Sequence, residues 1–211
     1  MADFNPADIR AVLFDMDGTL VDSDRAVERS WLSWANEYGA DGTAAYRMAH
    51  GSPSEPTVRR LLAHLTEAEI QQAATRQLEL QYDDLSDVVA TPSALDLLAA
   101  LDRKGLPWAV VTSADDRLAK ARLTAAGITP RVLVTIDDIE AGKPDPAGYL
   151  RAAELLGVPP ENCLVVEDAE VGLEAARAAG AHTAALRGLP GDLRLTSLSD
   201  LAFLTADHHE I

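Results

Sequence analysis

Residues 11–20 read AVLFDMDGTL, so that four apolar side chains run directly into two aspartates separated by one residue. The apolar run predicts a buried strand, because it is too short for a typical helix and rich in residues that suit a pleated sheet. Gly18 allows the chain to turn sharply after this strand. Asp15 and Asp17 are therefore expected at the carboxyl end of a strand, the edge where open α/β sheets bind their ligands.

The spacing of these two aspartates is itself informative. On an extended strand, Asp15 and Asp17 would share one face and repel each other. Two explanations make the pair favourable: a cation lies between the carboxylates, or the loop turns one of them elsewhere. Residues 11–20 alone do not choose between the two.

Composition and charge narrow the class of protein. The 211 residues can bury a sizeable core, and 47% hydrophobic with 25% charged residues is typical of a soluble globular protein. The net charge of −16 argues against a nucleic acid or a membrane surface as partner. A single cysteine, Cys163, excludes an intramolecular disulfide and suits a reducing compartment. No signal peptide and no membrane span of about 20 residues is evident, so a cytoplasmic location is expected.

Short apolar runs alternate with helical patterns over most of the chain. The predicted strands are 11–14, 108–111, 132–136, 163–166 and 182–186, and the predicted helices between the later strands are 94–104, 117–126, 147–156 and 170–179. This alternation predicts an α/β fold, with a Rossmann-like parallel sheet that is covered by helices on both faces.

Residues 23–88 break the alternation, because their pattern is almost entirely helical. Residues 24–38 are amphipathic, and residues 66–69 read as a capping box that opens a helix running to about Asp83. A loop is predicted over residues 50–56. We therefore expect a helical cap domain over 23–88, inserted into a core of residues 1–22 and 89–211, with hinges at the two crossings.

Polar side chains follow the other predicted strands as well, and in a parallel sheet all these strand ends meet at one edge. They are Thr112, Ser113, Lys143, Glu167 and Asp168. Together with the first two aspartates, this edge gathers four carboxylates that would repel strongly unless a divalent cation is bound. A metal site built from carboxylates and without histidine favours Mg²⁺ as its ion.

Lys143 is one of only three lysines, and it falls in a Gly-Lys-Pro loop at this edge. A point cation there suits the binding of a phosphate and of a nearby anionic nucleophile. The alternative is a structural ion pair with Asp137 or Asp138. For Thr112 the alternative is a turn or capping hydroxyl, a role that can coexist with phosphate binding.

In this order, Asp15-Met16-Asp17-Gly18-Thr19, Thr112, Lys143 and Glu167-Asp168 resemble the motifs of the haloacid dehalogenase-like superfamily. The resemblance extends from Ile9 to about Leu186. Residues 108–113, 142–146 and 166–169 resemble its branch of small sugar- and polyol-phosphate phosphatases, and the helical insert resembles its small cap.

The resemblance implies a phosphatase that works through an aspartyl-phosphate. Asp15 would be the nucleophile, and Asp17 would protonate the leaving alkoxide and then activate water. Mg²⁺ would be bound by Asp15, the backbone carbonyl of Asp17 and Asp168, with Glu167 acting through a water. Lys143 would complete the catalytic set.

The same resemblance implies where the phosphate and the rest of the substrate bind. Thr112 and backbone N–H groups around Gly18-Thr19 and Ser113-Ala114 would hold the phosphoryl oxygens. The cap loop residues His50, Gly51 and Ser52 would face the substrate, with His50 on one of its hydroxyls. The arginine usual in this loop is absent, although Arg59 and Arg60 follow it. We therefore expect the partner to be a small phosphorylated metabolite. The sequence leaves the oligomeric state open and is compatible with a monomer.

Three other activities compete with this interpretation. Asp17 argues against a dehalogenase, which needs no acid for an alkoxide, and the lack of lysine in residues 23–88 argues against a phosphonate hydrolase. A sugar-phosphate mutase resembling beta-phosphoglucomutase needs a distal cation, which neither Ser52–Glu55 nor Ala114–Asp116 offers. A non-catalytic interaction protein on the same fold is the last alternative.

Overall fold

The computed structural model describes residues 5–49 and 54–206, and a six-stranded parallel sheet lies at its centre. The strand order is β5-β4-β1-β6-β7-β8. The strands are β1 (Ala11–Phe14), β4 (Trp108–Val111), β5 (Leu133–Val134), β6 (Cys163–Glu167), β7 (His182–Ala185) and β8 (Leu193–Arg194). The predicted α/β fold is confirmed.

The register of the sheet brings the polar strand ends together. Phe14 of β1 lies opposite Val110 of β4 on one side and Val166 of β6 on the other. Asp15 and Glu167 directly follow these positions, and Thr112 follows β4. The three side chains therefore start from the same edge of the sheet.

Helices cover both faces of the sheet, and the alternation of β1 shows which face each helix covers. The helices are α5 (Ala94–Lys104), α6 (Asp116–Ala125), α7 (Ala147–Leu156) and α8 (Glu170–Ala178). Val12 and Phe14 pack in one apolar cluster with α5 and α6, whereas Ala11 and Leu13 pack in a second cluster with α7 and α8. Because β1 is buried on both faces, it reads as a continuous apolar run.

Four helices lie between β2 (Val21–Asp22) and β3 (Val89–Ala90) in the described part of the chain. They are α1 (Asp24–Tyr38), α2 (Gly42–Ala49), α3 (Ser54–Leu61) and α4 (Glu67–Tyr82). They share a separate apolar cluster around Trp31 and Trp34, and β2 pairs with β3 in antiparallel fashion. The separate cluster supports our proposal that residues 23–88 form a cap domain and residues 1–22 with 89–211 the core.

Several elements differ from the sequence prediction, most of them by a single residue at one end. The strand predicted over 132–136 is limited to Leu133–Val134, because Ile136–Asp138 turns into a 3₁₀ helix that Thr135 and Asp138 cap. The loop predicted over 50–56 is wrong at its end, since α3 begins at Ser54 and accommodates Pro56 in its first turn. Residues 50–53 lie outside the described residues. The short strands β2, β3 and β8 were not predicted, because two residues show no periodicity.

No helix within residues 5–49 and 54–206 is both long enough and apolar enough to cross a membrane.

Candidate active site

A buried network of charges surrounds Asp15 at the end of β1. Asp15 is 5% exposed and accepts a hydrogen bond from the Lys143 ammonium. The same Nζ donates to Glu167 Oε1 at 2.6 Å and to the Val111 carbonyl at 3.3 Å. The Lys143 ammonium therefore lies between the carboxylates of Asp15 and Glu167, at the ends of the neighbouring strands β1 and β6.

The alternative ion pair of Lys143 with Asp137 or Asp138 is not what the structure shows. Asp137 accepts from the backbone N–H of Asp116 at 2.9 Å, and Asp138 accepts from Thr135. Both carboxylates thus serve local turns, while the lysine faces the sheet edge.

Glu167 is held rigidly from several directions and is fully buried. Its Oε1 accepts from the Tyr149 hydroxyl at 2.7 Å, and its Oε2 accepts from the backbone N–H of Asp168 at 3.1 Å and of Ala169 at 3.2 Å. Gly172 leaves room for it, since a Cβ there would lie 1.7 Å from Glu167 Oε1. Glu167 can therefore fix the position of the lysine ammonium.

Three carboxylates form a cluster that could hold a metal ion. One oxygen each from Asp15, Glu167 and Asp168 lies within 4.8 Å of the others. Burial and then the Glu167 charge raise the pKa of Asp15 well above its ordinary value, and the same two causes raise the pKa of Asp168 to about 7. These groups resist being charged together, so the oxygen donors fit a hard divalent cation that would compensate them.

Asp168 is also tied to the helical insert. Arg187 donates from Nε to Asp168 Oδ2 at 2.7 Å and from Nη2 to both Asp24 oxygens at 3.0 Å. Gly18 has a φ of +81°, and a Cβ on it would lie 2.1 Å from Asp168 Oδ2. Glycine is thus required at position 18 both for the turn and for the close approach of this carboxylate.

The loop turns the Asp17 carboxylate to different partners from those of Asp15. Ser23 Oγ donates to Asp17 Oδ1 at 2.6 Å, and Arg122 Nη1 donates to Asp17 Oδ2 at 2.8 Å. The strand ends at Phe14, so the two aspartates do not share a pleated face. Of the two explanations for their spacing, the turn accounts for Asp17 directly, and a cation remains compatible with the cluster at Asp15.

A cavity of about 280 Å³ lies between the sheet edge and the insert. From the core it is lined by Asp15, Asp17, Thr112, Ser113, Ala114 and Asp168. Apolar side chains of the insert, among them Val27, Trp31 and Leu78, form part of the opposite wall. The cavity can hold a small molecule with one end against Asp15 and Asp17.

The other predicted site residues divide into those at the cavity and those away from it. Thr112 Oγ1 accepts from the Ala114 N–H at 3.1 Å, whereas Asp115 caps α6 by accepting from Leu118 at 2.7 Å. Thr19 is buried, does not line the cavity, and its hydroxyl has no hydrogen-bond partner among the described residues. His50, Gly51 and Ser52 lie outside the described residues.

The sequence interpretation missed the cation of the cavity, which is Arg122 on α6. A distal cation, apart from Lys143, was considered only in the cap loop and directly after Thr112. The available signal was the face of the helix, because Arg122 recurs at helical spacing with the buried Leu118, Ala119 and Leu123. Arg59, considered for the cap loop, is instead paired with Glu55 and Glu67 at the surface.

Comparison with known proteins agrees with this fold. A family model described as haloacid dehalogenase-like hydrolase matches residues 9–180. Hexitol phosphatase A of Escherichia coli (strain K12) is 40% identical over 184 residues, which cover 87% of this chain and 85% of that protein. The 2-deoxyglucose-6-phosphate phosphatase 1 of Saccharomyces cerevisiae is 35% identical over 202 residues, covering 87% of this chain and 80% of the relative.

Among solved structures, a beta-phosphoglucomutase from Clostridium difficile superposes with a TM-score of 0.78 at 19% identity, covering 93% of this chain and 97% of that one. This likeness concerns the fold alone. The family match and the two relatives show that the chain belongs to the haloacid dehalogenase-like hydrolases. It is an enzyme of the phosphatase type within that family, a phosphoric monoester hydrolase.

Proposed function

We propose that this enzyme is a Mg²⁺-dependent phosphatase that hydrolyses a small phosphate monoester of a sugar, a polyol or a similar metabolite through an aspartyl-phosphate. The observation that carries the proposal is the division of labour between two neighbouring carboxylates. Asp15 lies in the buried cluster with Lys143, Glu167 and Asp168, whereas Asp17 faces the same cavity on partners of its own.

The chemistry balances in two steps. An Asp15 carboxylate oxygen attacks phosphorus, the ester P–O bond breaks, and the departing alkoxide takes a proton from Asp17. A water molecule then transfers one of its own protons to Asp17 while its oxygen attacks phosphorus, the bond from phosphorus to Asp15 breaks, and inorganic phosphate is released with both aspartates restored. Uncatalysed hydrolysis of phosphate monoesters is among the slowest reactions known, so dividing the barrier between two steps is favourable.

The remaining residues of the site stabilise charge and position groups. Lys143 favours the ionised form of Asp15 and would lie next to the incoming phosphate, and Thr112 with the backbone around Ser113 would hold phosphoryl oxygens. Asp15, the Asp17 carbonyl and Asp168 would hold Mg²⁺, and Glu167, already engaged by Lys143 and Tyr149, would act through a water. When bound, Mg²⁺ supplies positive charge to the carboxylates and to the phosphoryl oxygens.

The substrate class rests on the cavity and on the relatives. Two relatives are named for hexitol phosphates and for 2-deoxyglucose-6-phosphate, and a cavity of about 280 Å³ accommodates molecules of that size. A cytoplasmic enzyme with a small phosphorylated metabolite as its partner fits these observations.

The sugar-phosphate mutase is the second candidate, and Arg122 is the observation in its favour, because it adds a cation to the cavity. The guanidinium lies 2.8 Å from Asp17, however, at the reacting end rather than at the distance where a second phosphate would sit. A phosphatase therefore fits better than a mutase, and a non-catalytic role fits least.

The decisive experiment measures phosphate release from p-nitrophenyl phosphate with and without Mg²⁺, in the natural protein and in Asp15→Asn. We expect metal-dependent turnover that the variant abolishes. Robust turnover by Asp15→Asn would overturn the assignment of the nucleophile. Isomerisation of a glucose phosphate in the presence of a bisphosphate activator would favour the mutase instead.

A further inference from the structure

Arg122 is a buried cation that joins the core to the helical insert. It is 2% exposed, and its Nη1 donates to Asp17 Oδ2 at 2.8 Å while its Nη2 donates to Oε1 of Gln81 at 2.9 Å. Its Nε is buried and has no acceptor among the described residues. One guanidinium thus contacts the proposed acid–base residue and a side chain of α4, and its five N–H donors exceed the two that these bonds use.

Neutral polar groups hold Gln81 in place. Its Nε2 donates to Gln77 Oε1 at 2.6 Å and to Ser54 Oγ at 3.3 Å. Gln77 is fully buried and donates onward to Ser30 Oγ at 3.2 Å. Because its amide nitrogen is committed to this network, Gln81 presents its carbonyl oxygen to Arg122, and that oxygen has a second lone pair for another donor.

The charges around the cavity disfavour a second anion. The acidic side chains that line it are Asp15, Asp17, Asp24, Glu55, Asp115 and Asp168. Among its described lining residues Arg122 is the single cation, and it is already paired with Asp17. A substrate carboxylate would have to displace Asp17 and approach the other acids, whereas a hydroxyl would leave the Arg122–Asp17 pair intact.

We propose that Arg122 and Gln81 form a subsite for a hydroxyl of the leaving group. This inference rests on the proposed phosphatase function and deepens it. The subsite offers the hydroxyl a donor at Arg122 and an acceptor at Gln81 Oε1. The enzyme accordingly takes phosphomonoesters of neutral polyhydroxylated molecules and discriminates against those with a carboxylate or a second phosphate.

A matched pair of substrates tests the charge discrimination. A hexitol 6-phosphate and the corresponding hexonate 6-phosphate differ only in the oxidation of carbon 1 to a carboxylate. With saturating Mg²⁺ we expect kcat/KM to be at least about tenfold higher for the hexitol ester. Equal or better turnover of the hexonate, or turnover of neither while p-nitrophenyl phosphate is hydrolysed, would overturn the subsite. Failure to hydrolyse p-nitrophenyl phosphate as well would count against the phosphatase function itself.

Gln81→Leu tests the residue directly, with Gln72→Leu as its matched control on the exposed face of the same helix. We expect Gln81→Leu to lower kcat/KM for the hexitol ester about tenfold, chiefly through KM, and to affect p-nitrophenyl phosphate, which has no hydroxyls, much less. Gln72→Leu should leave both substrates unchanged. An equal loss on both substrates in Gln81→Leu would mean that the residue only supports the fold, and would overturn the proposal.

Discussion

Lys143 bridges Asp15 and Glu167, with its ammonium 2.6 Å from Glu167 Oε1 and in direct contact with the Asp15 carboxylate. All three side chains are almost completely buried. In such a network each charge depends on the others for compensation, so removal of one leaves its partners buried and unpaired.

Lys143→Met should therefore be costly in two ways. We expect a loss of about 3–5 kcal/mol in the free energy of unfolding, and turnover of p-nitrophenyl phosphate at or near background, because Asp15 loses the cation that favours its ionised form. Lys120→Met is the control, since the Lys120 side chain is 66% exposed and, within residues 5–49 and 54–206, pairs with Asp116 alone. The free energy of unfolding of this variant should change by no more than about 0.5 kcal/mol. Urea denaturation measures the free energy of unfolding, and initial rates measure turnover. A stable, active Lys143→Met would refute the role of the network.

Asp17→Asn should separate acid–base chemistry from metal binding. Its carboxylate is held by Ser23 and Arg122, away from the cluster of Asp15, Glu167 and Asp168. We expect a rate decrease of about 10²- to 10⁴-fold, with Mg²⁺ affinity by calorimetry largely retained. Asp168→Ala should instead weaken Mg²⁺ binding. Comparable losses of affinity in the two variants would contradict this separation.

The two glycines Gly172 and Gly157 should respond differently to alanine. Gly157 has a φ of +69° and nothing near its missing Cβ, so Gly157→Ala should cost about 1 kcal/mol of stability and leave turnover intact. A Cβ on Gly172 would collide with the Glu167 carboxylate. Gly172→Ala should therefore lower turnover by displacing Glu167 and Lys143 together, and normal activity in a folded Gly172→Ala would show that this position of Glu167 is dispensable.

The buried carboxylates of the cluster should lower the stability of the metal-free enzyme as pH rises from about 5 to about 7. Burial and Glu167 raise the pKa of Asp168 to about 7, and the pKa of Asp15 is raised as well. Between the ordinary pKa and the raised one, the folded state binds more protons than the unfolded state, so each increase in pH favours unfolding. Thermal melts in chelator should show this decline, and saturating Mg²⁺ should reduce it because the cation favours the charged carboxylates. A melting temperature in chelator that rises over this range would contradict the prediction.

Much of the fold was predictable because its signals are local. The predicted strands are recognised as short apolar runs flanked by helical patterns. The predicted helices at 94–104 and 147–156 match α5 and α7. Asp15, Thr112, Lys143 and Asp168 were expected at one edge because parallel strands all end at the same edge of a sheet.

What escaped prediction depends on contacts between residues distant in sequence. Arg122 meets Asp17 across 105 positions and Gln81 across 41, and nothing near Arg122 in the chain announces either partner. The same holds for Arg187, which reaches Asp24 across 163 positions. Charged side chains of this kind can be suspected from a buried helix face, but their partners are set by packing.

The pairing of β2 with β3 ties the two crossings between core and insert into a single ribbon. Ser23 follows β2 directly and donates to Asp17. A rotation of the helical insert about this ribbon would therefore be felt at the Asp17 carboxylate through its hydrogen bond from Ser23, and also through Arg122, which contacts both Asp17 and Gln81. Under the proposed mechanism, these contacts would couple the position of the insert to the group that transfers the proton, so Ser23→Ala should alter turnover.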